Sequence, residues 1–138
     1  MNLRFASLQD VPLLAELNRQ LIEDERASNA MSIAELEARM RAWLEGEYRA
    51  ALFEVAAETV AYALFRPTDE GIYLRQFFVA RSQRRKGHGR RAIRLLREQL
   101  LQTGQTLELD VLVHNDIGLA FWRALGFREH ALSFRVRG

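Results

Sequence analysis

The spacing of apolar residues changes period along the chain, and each change marks an element. Residues 2–6 (NLRFA) read as a short strand. Leu13, Leu14, Leu17 and Leu21 then recur at helical spacing, behind Asp10 as a candidate cap and Pro12 in the first turn, where a missing N–H costs little. Ser32 and Glu35 form a capping box ahead of a second apolar stripe, Leu36, Met40 and Leu44. Residues 50–56 and 59–66 read as a strand pair around Ala57-Glu58, and Pro67 to Gly71 as a turn. Residues 72–79 (IYLRQFFV) are rich in β-formers. Ile93, Leu96 and Leu100 predict a third helix, which Gly104 closes. Residues 106–113 (TLELDVLV) alternate as a strand. Asn115 or Asp116 caps a last helix holding Ala120, Phe121 and Leu125, with Gly126 as its C′ residue, and residues 127–136 can form one more strand. The order β-α-α-β-β-β-α-β-α-β predicts a mixed α/β sheet with helices packed on it.

The 138 residues make one domain, 1–138, of ordinary globular composition, 49% hydrophobic and 28% charged. Cysteine is absent, and His88, His114 and His130 have no metal-ligand spacing, so no metal site is expected. Neither a membrane-length apolar run nor an N-terminal apolar signal is present, which makes a soluble cytoplasmic protein the expectation.

Charge sharpens the picture. Net charge is only +2, yet residues 75–97 hold nine cations and no acid. The remainder carries eleven cations against eighteen acids. A positive field concentrated in this way implies a polyanionic partner, either nucleic acid or a phosphorylated cofactor.

That field centres on a strand that runs through Phe77, Phe78 and Val79 into Arg84-Arg85-Lys86-Gly87-His88-Gly89-Arg90 and directly on into a helix. Glycine permits positive φ and close approach of a ligand to backbone. The first N–H groups of a helix are unpaired and partially positive, so the segment is an anion cradle of the pyrophosphate-binding kind. It lacks GxxxxGK[ST] and is not a Walker loop; Ala92 stands where the Rossmann pattern has its third glycine, and no βαβ unit with a ribose-binding acid follows.

The spacing R-x-x-G-x-G at Arg84, Gly87 and Gly89, five residues after Val79, resembles the acetyl-CoA loop of the GNAT superfamily of N-acetyltransferases. A second landmark agrees: Asn115, then Ala120-Phe121-Trp122, then Gly126-Phe127, resembles that family's N-x(4)-A-F-Y-x(3)-G-F segment. The element order fits over essentially the whole chain. The resemblance implies a mixed, mostly antiparallel sheet with flanking helices. It also implies transfer of the acetyl group of acetyl-CoA to a primary amine of a small molecule or peptide, by direct attack in a ternary complex. By the same resemblance, main chain from Phe77 to Val79 pairs with the pantetheine arm, and N–H groups from Arg84 to Arg90 bind the pyrophosphate. Asn115 contacts the pantetheine, and Phe121 and Trp122 line its far wall. The strand carrying Phe77–Val79 splays from that at 106–113, with the thioester in the resulting V. Dimers are common among such relatives, so a homodimer is compatible; no nucleic-acid or membrane partner is implied.

The catalytic residues depart from the pattern. Trp122 stands where many members have a Tyr acid, and an indole cannot act as one. Arg75 and Gln76 stand where many have Glu and Asp. Among the residues present, Tyr73 is the acid candidate. Glu23, Asp24, Glu25, Glu54, Asp110 and His114 are the base candidates, with Glu25 and His114 foremost. A thiol with a pKa of ~8.5 is a fair leaving group without a strong acid. Trp43 and Phe5 are assigned to the core. Residues 1–74 carry seven cations and thirteen acids, which points to a cationic acceptor. Two other readings fit the same residues: a degenerate member that binds CoA as a sensor, and a nucleic-acid module built on the helix RRAIRLLR.

Overall fold

The computed structural model describes residues 1–25 and 31–138. Five strands form one sheet in chain order: β1 (Asn2–Phe5), β2 (Arg49–Val55), β3 (Glu58–Pro67), β4 (Gly71–Val79) and β5 (Thr106–Glu108). All neighbours pair antiparallel except β4 and β5, which are parallel. Among the described residues four helices flank the sheet: α1 (Val11–Asp24), α2 (Ile33–Glu45), α3 (His88–Leu100) and α4 (Asp116–Ala124). The fold is the mixed α/β sheet that the sequence predicts.

Alternation along β2 and β3 divides the core in two. Ala50, Leu52, Tyr62 and Leu64 pack with Val11, Leu14, Leu17 and Met40 under α1 and α2. Ala51, Phe53, Ala61 and Ala63 pack with Ile93 and Leu96 of α3, with Phe121 and Trp122 of α4 against them. Both faces are therefore covered, and Ala50 to Phe53 and Val60 to Phe65 are continuously buried. The turn between β2 and β3 is made by Ala56 and Ala57, at φ 53° and 65°, the twist a two-residue hairpin requires.

The β2–β3 turn falls one residue before the expected Ala57-Glu58, since Glu58 already pairs with Val55, and local predictions differ from the fold at three further places. Asp10 precedes α1 without capping it; its carboxylate instead closes a capping box with Ser7 around the 3-10 turn Leu8–Asp10, because Arg4 and the Ser7 N–H hold it there. The strand expected over 106–113 stops at Glu108. The strand expected over 127–136 does not form: residues 128–138 carry no regular structure, and Leu132, Phe134 and Val136 are 70%, 91% and 94% exposed. A β-pattern becomes a strand only where a ladder receives it, and β5 offers its neighbour only three residues. No described helix is long and apolar enough to cross a membrane.

Candidate active site

The site begins where two parallel strands part. β4 and β5 pair over Gly71↔Thr106, Ile72↔Leu107 and Tyr73↔Glu108, and the described residues give no β5 partner to β4 beyond Tyr73. The strands start very close: a Cβ on Gly71 would lie 2.0 Å from the Thr106 carbonyl oxygen, so only glycine fits. From Leu74 to Val79, β4 keeps its ladder with β3 on one side and has no strand partner on the other. A row of backbone donors and acceptors left free in this way can bind an extended amide-bearing ligand.

The free edge leads into the basic loop. Arg85 lies at φ 65°, unusual for a residue with a side chain, and Gly87 at φ 75°. Gly87 is the N-cap of α3 but has no side chain to cap with, so the first N–H groups of that helix have no side-chain acceptor. Strained backbone around an uncapped helix start is an arrangement that receives an anion.

The loop's cations divide into two sets. Arg84 is engaged: its guanidinium pairs with Asp24, reaches the Val79 carbonyl at 3.4 Å and stands 4.9 Å from the Phe78 ring centre. Arg81 pairs with Glu23 at 3.1 Å and Asp24 at 3.2 Å. Arg85, Lys86 and Arg90 are exposed and take no carboxylate partner among the described residues. His88 is buried, with Nδ1 3.0 Å from Arg91. Burial first, then the charges of Arg91 and Lys86, hold its pKa below the ordinary value, which disfavours the charged ring.

The far wall is aromatic. Phe77 stacks on Phe121 at 6.2 Å between ring centres and meets Trp122 edge-on at 5.8 Å. Trp122 also packs against Phe121 and Phe127 at 4.9 and 5.1 Å. Phe77, Val79, Phe121 and Trp122 are all partly buried, whereas Phe78 turns to the opposite core. Asn115 caps α4, its Oδ1 accepting from the Gly118 N–H at 2.9 Å.

The candidate acids and bases scatter. The Tyr73 hydroxyl donates to Asp110 at 2.8 Å. Burial, reinforced by that carboxylate, pushes it up to about 12, a poor proton donor at neutral pH. Burial works to raise Asp24, but hydrogen bonds and charge from Arg84 and Arg81 outweigh it and keep the carboxylate below its usual range. Glu23 is taken up by Arg19 and Arg81, and Glu54 by Arg4. His114 is exposed. Glu25, directly after α1, stands apart: no described ion pair holds it, and although the residue is exposed, partial desolvation of its carboxyl raises its pKa above the ordinary value, the direction that suits a general base.

A polar cluster that the sequence reading passed over lies between β4 and the first two helices. Leu64 pairs with Gln76 and Phe65 with Leu74, which leaves Arg75 as the extra residue of a bulge. Tyr62, fully buried, donates to Gln76 Oε1 at 2.8 Å. Its hydroxyl is pushed well up by burial, with Asn18 and Arg39 drawing it partly back. Arg39 donates to Asn18 Oδ1 at 2.9 Å. Trp43, assigned from sequence to the core, is only partly buried because the guanidiniums of Arg39 and Arg75 lie 4.7 and 5.0 Å from its ring centre. Phe5, likewise assigned to the core, is 42% exposed beneath Arg49. The signal available in the sequence was Asn18, a polar residue beside Leu14, Leu17 and Leu21 on the buried side of α1.

The profile of the acetyltransferase (GNAT) family matches residues 15–127. No curated protein sequence matches the chain closely enough to argue from. Among solved structures, the fold is similar to that of a possible acetyltransferase from Clostridium difficile 630, with TM-score 0.77 and 19% identity over 99% of this chain and 96% of that one. It is similar to aminoglycoside antibiotic 6'-N-acetyltransferase from Acinetobacter haemolyticus, with TM-score 0.75 and 21% identity over 100% and 99% of the two chains. It is also similar to an aminoglycoside N-acetyltransferase in complex with CoA, with TM-score 0.74 and 16% identity over 99% and 93%. At these identities the likeness is one of fold, and the profile match over most of the chain establishes the family. The parted strands, the uncapped helix and the matching profile lead to one statement: the chain belongs to the acetyltransferase (GNAT) family.

Proposed function

We propose that this protein is an N-acetyltransferase that moves the acetyl group of acetyl-CoA to a primary amine of a small molecule or peptide, by direct attack in a ternary complex. The observation that carries this reading is the continuity of the free β4 edge, Leu74 to Val79, with the uncapped start of α3. An extended amide chain ending in a pyrophosphate matches both halves, and a CoA complex of a similar fold supports the match.

Acetyl-CoA supplies the thioester. On this reading the N–H groups at the start of α3 take the pyrophosphate, with Arg85, Lys86 and Arg90 around it. The free backbone of β4 aligns the pantetheine arm and offers N–H groups to the developing oxyanion. Phe77, Phe121 and Trp122 wall the arm and exclude water. Glu25 takes the proton from the acceptor ammonium, and the thiolate leaves through solvent, since a pKa of ~8.5 makes a strong acid unnecessary.

The test is a calorimetric titration with acetyl-CoA, followed by thiol release across a broad amine panel. Tight binding with turnover of at least one amine is expected. Binding without turnover of any amine would promote the CoA-sensor reading, which Trp122 and the tied Tyr73 favour. No binding would remove both.

A further inference from the structure

We propose that the acceptor amine carries a carboxylate, held by Arg39 and Arg75 between α2 and the β4 bulge. The inference rests on the acetyltransferase reading and names the class of its second substrate, a small amino acid or similar amino carboxylate.

Two guanidiniums lie within 5.0 Å of the centre of the Trp43 ring, Arg39 at 4.7 Å and Arg75 at 5.0 Å. Like charges repel, and the neighbouring Arg75, after burial, lowers the pKa of Arg39. None of the described ion pairs gives either guanidinium a carboxylate. Their partners are neutral: Asn18 for Arg39, and the Tyr48 hydroxyl at 3.3 Å for Arg75.

A donor is left over as well. Arg39 Nε is buried and makes no hydrogen bond, while Asn18, 0% exposed, is also drawn on by the Tyr62 hydroxyl. The unspent Arg39 Nε is a donor and the two guanidiniums carry no carboxylate, so the cluster suits an anionic acceptor. A carboxylate meets planar guanidinium donors two at a time, which suits Arg better than any other side chain.

The bulge gives this cluster its place. Because Arg75 is the extra residue in β4, it and the adjacent Gln76 both serve the α1 and α2 side, one contacting Trp43 and the other Tyr62. Phe77, next along the same strand, serves the opposite wall with Phe121. Arg75 thus stands on the β4 edge assigned to the thioester arm, with Arg39 of α2 beside it across Trp43.

The acidic sum of residues 1–74 pointed to a cationic acceptor, but five of those thirteen acids are held by arginines away from Trp43. Asp10 and Glu54 pair with Arg4, Glu16 and Glu23 with Arg19, and Asp24 with Arg81 and Arg84. What remains beside Trp43 is positive.

The experiment compares kcat/KM for the twenty amino acids with kcat/KM for their carboxamides. Parallel calorimetric titrations of the same compounds use the protein saturated with CoA. In the wild type at least one amino acid should exceed its carboxamide by about tenfold or more. Arg75→Gln, an exposed position that spares the fold, should bring that ratio close to one through KM, with KM for acetyl-CoA unchanged; Arg75→Lys should restore part of it. Arg39→Gln should act in the same direction. Carboxamides used as well as or better than the acids would overturn the proposal while leaving the acetyltransferase reading intact. Turnover of neither set, with acids still bound more tightly than amides, would support the anion site and count against the enzyme. Equal or absent binding of both sets, without turnover, would overturn the site.

Discussion

Gly89 in the first turn of α3 faces the ring of Phe121 in α4 so closely that a Cβ on it would lie 3.3 Å from both Cε1 and Cζ, and 3.3 Å from Val79 Cγ2. Three elements of the candidate site therefore converge on one hydrogen atom. Gly89→Ala should be tolerated with a small loss of affinity, because Phe121 can yield by a few tenths of an ångström. Gly89→Glu should abolish acetyl-CoA binding, both by displacing the aromatic wall and by setting a carboxylate at an anion-binding helix start. A folded Gly89→Glu protein, verified by circular dichroism, that still binds acetyl-CoA with wild-type affinity would remove this loop from the site.

Arg84 and Arg85 are adjacent in sequence and unlike in situation. Arg84 is bonded to Asp24, whereas Arg85 is exposed at a positive φ. Arg85→Gln should weaken CoA binding by about twofold to fivefold at low ionic strength, with the difference shrinking as salt is added, since exposed pairs are worth about 1 kcal/mol or less. Arg84→Gln should perturb binding through the freed Asp24, and Asp24→Asn in the same chain should restore part of it. Titrations at two salt concentrations decide the point; indifference of affinity to salt would speak against a basic phosphate site.

Glu25 gives a pH signature with a defined sign. Partial desolvation raises its pKa in the folded protein above the ordinary carboxylate value, an effect softened by the residue's exposure to solvent. The folded state therefore binds the proton more tightly than the unfolded chain, and this group's contribution to stability declines as pH rises from the unfolded value through the folded one. Activity runs the other way, because the base works deprotonated. Glu25→Gln should lower kcat by roughly a hundredfold and leave acetyl-CoA affinity unchanged, with the melting temperature held or slightly raised at neutral pH. A Glu25→Gln enzyme with wild-type kcat would pass the role of base to solvent or to another group.

Trp122 touches Phe77, Phe121 and Phe127, so its first duty is packing. Trp122→Phe should raise KM for acetyl-CoA by a few-fold with little change in kcat, because it trims contacts shared by ground and transition states. Trp122→Tyr should not create activity where there was none. Steady-state kinetics of the two variants are the check, and a large gain of kcat in Trp122→Tyr would make a protein acid at this position necessary after all.

The amino-acid order by itself determined what local interactions decide. The capping box of Ser32 and Glu35, the apolar stripe of Leu36 and Met40 and the Gly87 break before α3 each act within a few residues, and all stand where the sequence placed them. The order of elements as far as α4, and with it the family, was legible for the same reason. Tertiary structure decided whatever depends on a partner distant in sequence. Whether TLELDVLV is a long strand or a short one depends on how far β4 stays beside it, and the two separate after Tyr73 and Glu108. Whether Arg84 faces a phosphate or a carboxylate depends on Asp24, sixty residues earlier. Arg75 reads as one more polar position in a strand until the register of β3 against β4 skips it, and only then does it join Arg39 on Trp43. Strand register and long-range charge pairing are settled by packing of the whole sheet and its helices, and no window of neighbouring residues contains that information.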